Sequence, residues 1–96
     1  MAPEVLLDEP SDFKVDVWSL GIMLYTLLSG RLPFSGASRE ETAEKILNQE
    51  LAFNRSVWDS ISDECKNLIS GMLHKDQASR MDIHDVTASP WLAQSE

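Results

Sequence analysis

The residues able to do chemistry in this sequence are two histidines, a single cysteine and a set of carboxylates. His74 and His84 could serve a metal, because imidazole is a good ligand, but they fall on different helical segments and neither belongs to a C-x-x-C or H-E-x-x-H pattern. A metal site is not expected. Cys65 would have to be held as a thiolate to act as a nucleophile, and no His or Lys pattern around it indicates that activation. Its place at the apolar edge of a helix makes it a small core residue. Glu40, Glu41, Glu44 and Glu50 gather on and just after one predicted helix, where the simple reading is a solvated face and the functional reading is a dock for a basic segment of a substrate or regulator. Asp16 precedes an apolar helical run, where the positive helix end and free backbone N–H groups favour a carboxylate.

The elements that must position these residues are bounded by length and charge. Ninety-six residues make one domain at most, with a poor ratio of buried to exposed surface. Sixteen acidic residues against 8 basic ones leave a net charge of -8, which disfavours a nucleic acid or an anionic membrane as partner and permits a basic peptide. A solvated acidic surface that keeps the protein soluble accounts for the same charge. One cysteine allows no intramolecular disulfide and fits a reducing compartment, so an intracellular, cytoplasmic location is expected. The longest apolar stretch, Leu20 to Leu28, is interrupted by Gly21, Tyr25 and Thr26 and is far short of the roughly 20 residues that span a bilayer. No basic region leads into an apolar run at the N-terminus, so neither a membrane segment nor a cleaved signal peptide is expected.

Helical signals dominate, and no segment alternates convincingly as a strand. Over 14–29 the apolar residues point around the whole helix, and a helix apolar on all sides must be buried on all sides. Gly30 supplies a left-handed C-terminal cap and Pro33 prevents easy continuation. Ser38 with Glu41 is a capping-box pattern for a helix over about 38–49, whose narrow apolar stripe is Ala43, Ile46 and Leu47. Ser62 caps a helix over about 62–73, in which Cys65, Leu68, Ile69, Met72 and Leu73 share a core face. A short helix over about 82–88 follows Asp82 and is ended by Pro90. Trp18, Trp58 and Trp91 read as packing anchors whose ring N–H groups each need one partner. Three further helices cannot surround the first, so something else should cover it, and an exposed apolar face would otherwise favour aggregation or partner binding.

Several ordered motifs carry a family resemblance across residues 1 to about 92. They are Ala2-Pro3-Glu4, the Asp-x-Trp-Ser-x-Gly of residues 16–21, Gly30-Arg31-Leu32-Pro33-Phe34, Ile69-Ser70-Gly71-Met72-Leu73, Asp76 with Arg80, and Ser89-Pro90-Trp91-Leu92. In this order they resemble the C-terminal lobe of a Ser/Thr protein kinase from the A-P-E motif onward. Phe53 through Trp58, Ile61-Ser62 and Cys65-Lys66-Asn67-Leu68-Ile69 resemble the calcium/calmodulin-dependent and calcium-dependent group. The expected fold is therefore all-α, residues 1–96 being a partial kinase domain with its buried axis over about 14–29. Gln77, Met81 and Ser89 depart from the family pattern, at peripheral positions.

The resemblance implies a role for each matching residue. Glu4 would pair with Arg80 through two parallel hydrogen bonds as a structural anchor; otherwise both are exposed charges of little worth. Asp16 would position the catalytic loop in the family and keeps only a capping role here, since the matching loop is absent from this sequence. Trp18 is the Trp of the Asp-x-Trp motif. Met23 and Leu27 match positions that support the apolar column beneath adenine, and are core residues in this chain alone. Met1 would line the pocket for the substrate residue after the phosphoacceptor, and an internal methionine is as consistent with it as an initiator. Thr26 stands where some basophilic members carry an acid, so that contact has no support. The Gly-rich loop, the ATP-contacting Lys, the catalytic Asp and D-F-G all precede A-P-E. Hence no catalytic, cofactor or metal residue is expected in the chain. ATP and Mg²⁺ belong to a full-length parent, and the expected partners are the missing N-terminal part of the kinase domain and a protein substrate or regulator. The competing readings are a non-catalytic interaction module and a truncated gene product.

Overall fold

The computed structural model describes residues 2–10 and 13–93, and among these every regular element is helical. The order is α1 (Pro3–Leu6), α2 (Lys14–Ser29), α3 (Arg39–Asn48), a 3-10 helix (Ser56–Ser60), α4 (Asp63–Met72), α5 (Ile83–Thr87) and α6 (Pro90–Ala93). The bounds of α2 are those expected from the sequence; α3, α4 and α5 lie just inside their expected ranges because the predicted first residues act as caps. Three elements were not expected: α1, the 3-10 helix and α6 have only four or five residues each, too few to show a periodicity. No described helix is long and apolar enough to cross a membrane.

The caps explain where the helices start and stop. Ser62 Oγ accepts the N–H of Cys65 at 3.2 Å, and Ser38 Oγ accepts that of Glu41 at 3.1 Å. The Glu41 carboxylate reaches back one residue further than a capping box requires, to the Ala37 N–H. The reciprocal box is at α5, where the Asp82 carboxylate accepts the Asp85 N–H at 2.9 Å and the Asp85 carboxylate accepts the Asp82 N–H at 3.1 Å. The bond from the Asp85 N–H holds Asp82 below the usual carboxylate range. Gly30 ends α2 in the left-handed region, at φ 76°.

The core lies where α4 and the 3-10 helix pack on one side of α2. Trp18, Tyr25, Trp58, Cys65 and Ile69 are buried there, and Val17, Leu68, Met72 and Val86 form a second buried cluster. Gly21 sets the approach of the helices, since a Cβ at that position would meet Met72 Cβ and Leu73 Cδ2 at 2.9 Å. Tyr25, Phe53 and Trp58 form an aromatic group with ring centroids 4.7 to 5.8 Å apart, and the Tyr25 hydroxyl donates to the Ala52 carbonyl at 2.7 Å.

Two expectations are corrected here. Met23 and Leu27 are not core residues in this chain: they are 58% and 78% exposed, on a side of α2 that α4 borders through Leu68 and Met72 but does not cover. Asp16 does not cap α2, since it lies inside the first turn whereas a capping acceptor must stand just outside it; Phe13 occupies the cap position without a side-chain bond. Asp16 contributes only its charge near the positive helix end.

Candidate functional site

One loop, between α4 and α5, organises the charged centre of the molecule. Asp76 folds it: its carboxylate accepts the Ala78 N–H at 3.3 Å and the Ser79 hydroxyl at 3.0 Å, and its carbonyl accepts the Arg80 N–H at 3.0 Å. This turn aims Arg80 inward. Nη1 and Nη2 of Arg80 donate to Oε2 and Oε1 of Glu4, each at 2.7 Å, and both side chains are sealed from solvent. Arg80 also donates to the carbonyls of His74 at 2.8 Å and Lys14 at 3.0 Å. Its guanidinium lies 5.1 Å from the Trp18 ring centroid, and Trp18 stacks on Phe34 at 6.1 Å.

Arg80 thus joins α1, the start of α2 and its own loop. The two bonds from Arg80 hold the Glu4 carboxyl below its ordinary range against the opposing effect of burial. A carboxylate held ionised and enclosed is an anchor and not a proton shuttle.

Lys75, on the same loop, gave no signal in the sequence beyond standing next to Asp76. Its Nζ donates to the Ile46 and Lys45 carbonyls in the last turn of α3 and sits 4.1 Å from the Phe34 ring centroid. Burial lowers the pKa of this ammonium. Gln77, where the family pattern has proline, uses its amide to donate to the Pro10 carbonyl at 2.7 Å. Met81 lies over Gly71 and receives no side chain from it: a Cβ there would meet Met81 Sδ at 2.6 Å. Ser89 is buried and its Oγ accepts the Trp91 N–H at 3.3 Å.

The other singled-out residues are dispersed. Cys65 is enclosed and burial pushes its thiol pKa up, which leaves it unreactive. His74 Nδ1 accepts the Asp76 N–H, and His84 is exposed. Among the described residues no three His, Cys, Asp or Glu side chains come together to hold a metal. Trp18 and Trp58 are buried as anchors, but neither ring N–H has a partner among the described residues. Glu41 pairs with Lys45 at 3.6 Å, whereas Glu40, Glu44 and Glu50 are exposed. Met1 lies outside the described residues.

The surface also carries concavities, of which two bear on the site. On the open side of α2, Leu20, Met23 and Leu27 meet Met72, Val86 and Trp91 around a wholly apolar hollow of about 190 Å³. Between α1 and α3 runs an open groove of about 850 Å³.

The protein kinase domain family matches residues 1–92. The serine/threonine-protein kinase PEPKR2 of Arabidopsis thaliana is 45% identical over 92 residues, covering 96% of this chain and 19% of that protein. Myosin light chain kinase 2 (skeletal/cardiac muscle) of Mus musculus is 42% identical over 93 residues, covering 96% of this chain and 15% of that protein. The structure of the twitchin kinase region from C. elegans superposes with a TM-score of 0.90 at 36% identity, over 95% of this chain and 16% of that one. The chain therefore spans less than a fifth of each of these relatives. With the buried Glu4–Arg80 pair, an all-helical fold and this match along nearly its whole length, the chain belongs to the protein kinase family and corresponds to part of the helical lobe of a Ser/Thr kinase catalytic domain.

Proposed function

We propose that this chain is the substrate-side part of the large lobe of an ATP-dependent Ser/Thr protein kinase acting inside the cell, and that the open face of α2 seats the preceding part of the catalytic domain. The observation carrying this is the stripe Leu20, Met23 and Leu27, solvent-exposed on a helix that is apolar all round. A soluble domain gains nothing from such a stripe unless another segment covers it. The relatives, each more than five times longer than the stretch they share with this chain, are consistent with that segment.

Phosphoryl transfer needs metal ions, a phosphate-gripping Lys and an Asp that orients the hydroxyl. The described residues offer no matching set, so no step of the transfer is assigned to them and the chain alone is expected to be inactive. ATP and Mg²⁺ would be held by the preceding part, while this chain contributes the anchor at Glu4 and the helical base.

A chimera tests the reading. The corresponding segment of the Arabidopsis relative is replaced by residues 1–92 of this chain, and phosphate incorporation into a protein substrate is measured. The chimera should be active, and Leu27→Glu in it should abolish activity. A folded but inactive chimera, or one indifferent to Leu27→Glu, would overturn the proposal.

A further inference from the structure

The loop between α4 and α5 carries two tethers and folds through one exposed hydroxyl. Arg80 holds α1 through Glu4, and Lys75 holds the last turn of α3 through the carbonyls of Lys45 and Ile46. Between them Ser79, which is exposed, donates its hydroxyl to Asp76 Oδ2 at 3.0 Å, and the same carboxylate accepts the Ala78 N–H. The bond from Ser79 exists only while its Oγ keeps a proton to donate. Ser38 and Ser62 differ, since their oxygens accept backbone N–H groups at helix starts, where negative charge is favoured.

A phosphate on Ser79 reverses this contact. The ester oxygen has no proton, and a charge of about −1.5 to −2 then stands against the Asp76 carboxylate. Of the cations on or beside the loop, Arg80 is sealed against Glu4, Lys75 is turned to α3, and Lys14 donates to the Ala78 carbonyl at 3.4 Å. The exposed charge that follows Ser79 in the chain is acidic: Asp82 stands three residues on, and Asp85 shares its capping box.

We infer that Ser79 is a phosphorylation site, taken by a protein kinase whose peptide cleft is basic, and that the phosphate loosens both tethers of the loop. In that step the γ-phosphoryl group of ATP moves to Ser79 Oγ as its bond to ADP breaks, and the hydroxyl proton passes to the base of the modifying kinase. Repulsion from Asp76 opens the turn that aims Arg80 inward, so α1 and the end of α3 lose their common support. The loosening stands on the geometry of this chain; its consequence, a less active parent enzyme, rests on the kinase reading above.

Two experiments on the full chain test this. In the first, the chain is incubated with radiolabelled ATP and a purified acid-directed Ser/Thr kinase. Label should enter at Ser79, vanish in Ser79→Ala and fall severalfold in Asp82→Asn, which keeps a capping acceptor and loses the charge. In the second, phosphoserine is incorporated at position 79 through an expanded genetic code. Hydrogen exchange should then quicken by about tenfold at the amides of α1 and of the last turn of α3, while those between α2 and α4 stay protected. Asp76→Asn in the phosphoserine chain should restore most of the protection, an effect that the bulk of the phosphate alone would not give. The inference is overturned if Ser79 takes no label, if exchange is unchanged or slowed by pairing of the phosphate with Lys14, or if Asp76→Asn rescues nothing. In the chimera, phosphoserine at 79 should lower phosphate incorporation at least severalfold. An inactive Ser79 chimera counts against the kinase reading, whereas a phosphoserine chimera as active as the Ser79 one counts against this switch, so the two failures can be told apart.

Discussion

The two sides of α2 have similar composition and opposite environments. Toward α4, Val17, Trp18 and Tyr25 are almost fully enclosed, and Gly21 lets the helices approach to contact distance. On the other side Leu20, Met23 and Leu27 face solvent across an apolar hollow. The same kinds of side chain therefore stabilise the fold on one side and leave an unsatisfied surface on the other. Apolarity alone does not mark a core; a covering element must be present.

The comparison can be broken most severely at the closed side's charged end. Arg80→Ala should destabilise the chain by about 3–5 kcal/mol, because it leaves the buried Glu4 carboxylate uncompensated. A urea unfolding midpoint unchanged from wild type would show that the pair carries no such weight.

The acid dependence of the same pair follows from its sign. Glu4 is depressed in the folded state, so the stability it contributes is present above its unfolded value of about 4.3 and is lost as pH falls through the lower folded value. Thermal unfolding from pH 6 downward should show this loss in wild type, and Glu4→Gln should flatten it.

Gly21→Ala probes the packing directly. The new methyl meets Met72 Cβ, which cannot swing aside, so a cost of about 1–3 kcal/mol is expected despite alanine's better helix propensity. A stabilised variant by calorimetry would mean that α2 and α4 are less closely packed than described.

The smallest stability effect belongs to the open side. Leu27→Gln should change the folding free energy by no more than about 0.5 kcal/mol, since the residue buries little, yet reduce self-association measured by sedimentation. A large loss of stability there would erase the contrast between the two faces.

Much of this was legible in advance. Ser62, Gly30 and the spacing of Cys65, Leu68, Ile69 and Met72 mark helix ends and a core face through local chemistry, and the structure places them accordingly. α1, the 3-10 helix and α6 were not, because four or five residues hold no full period; α5 is as short but is marked by its Asp82 cap and by Pro90 after it. Of the charged centre, Glu4 and Arg80 were brought together only by family resemblance, being 76 positions apart. Lys75 was missed altogether, since its acceptors are backbone carbonyls and carry no residue signature.

By itself the sequence determined α2 to α5, the caps at Gly30, Ser38, Ser62 and Asp82, the excess of acid and the fact that α2 is apolar all round, because each depends on neighbours within one or two turns. Only the tertiary structure decided which side of α2 is closed, that Arg80 turns inward to Glu4, and that Lys75 bonds to carbonyls in the last turn of α3. Those outcomes depend on which distant groups come within contact distance, and that is settled by packing rather than by local order.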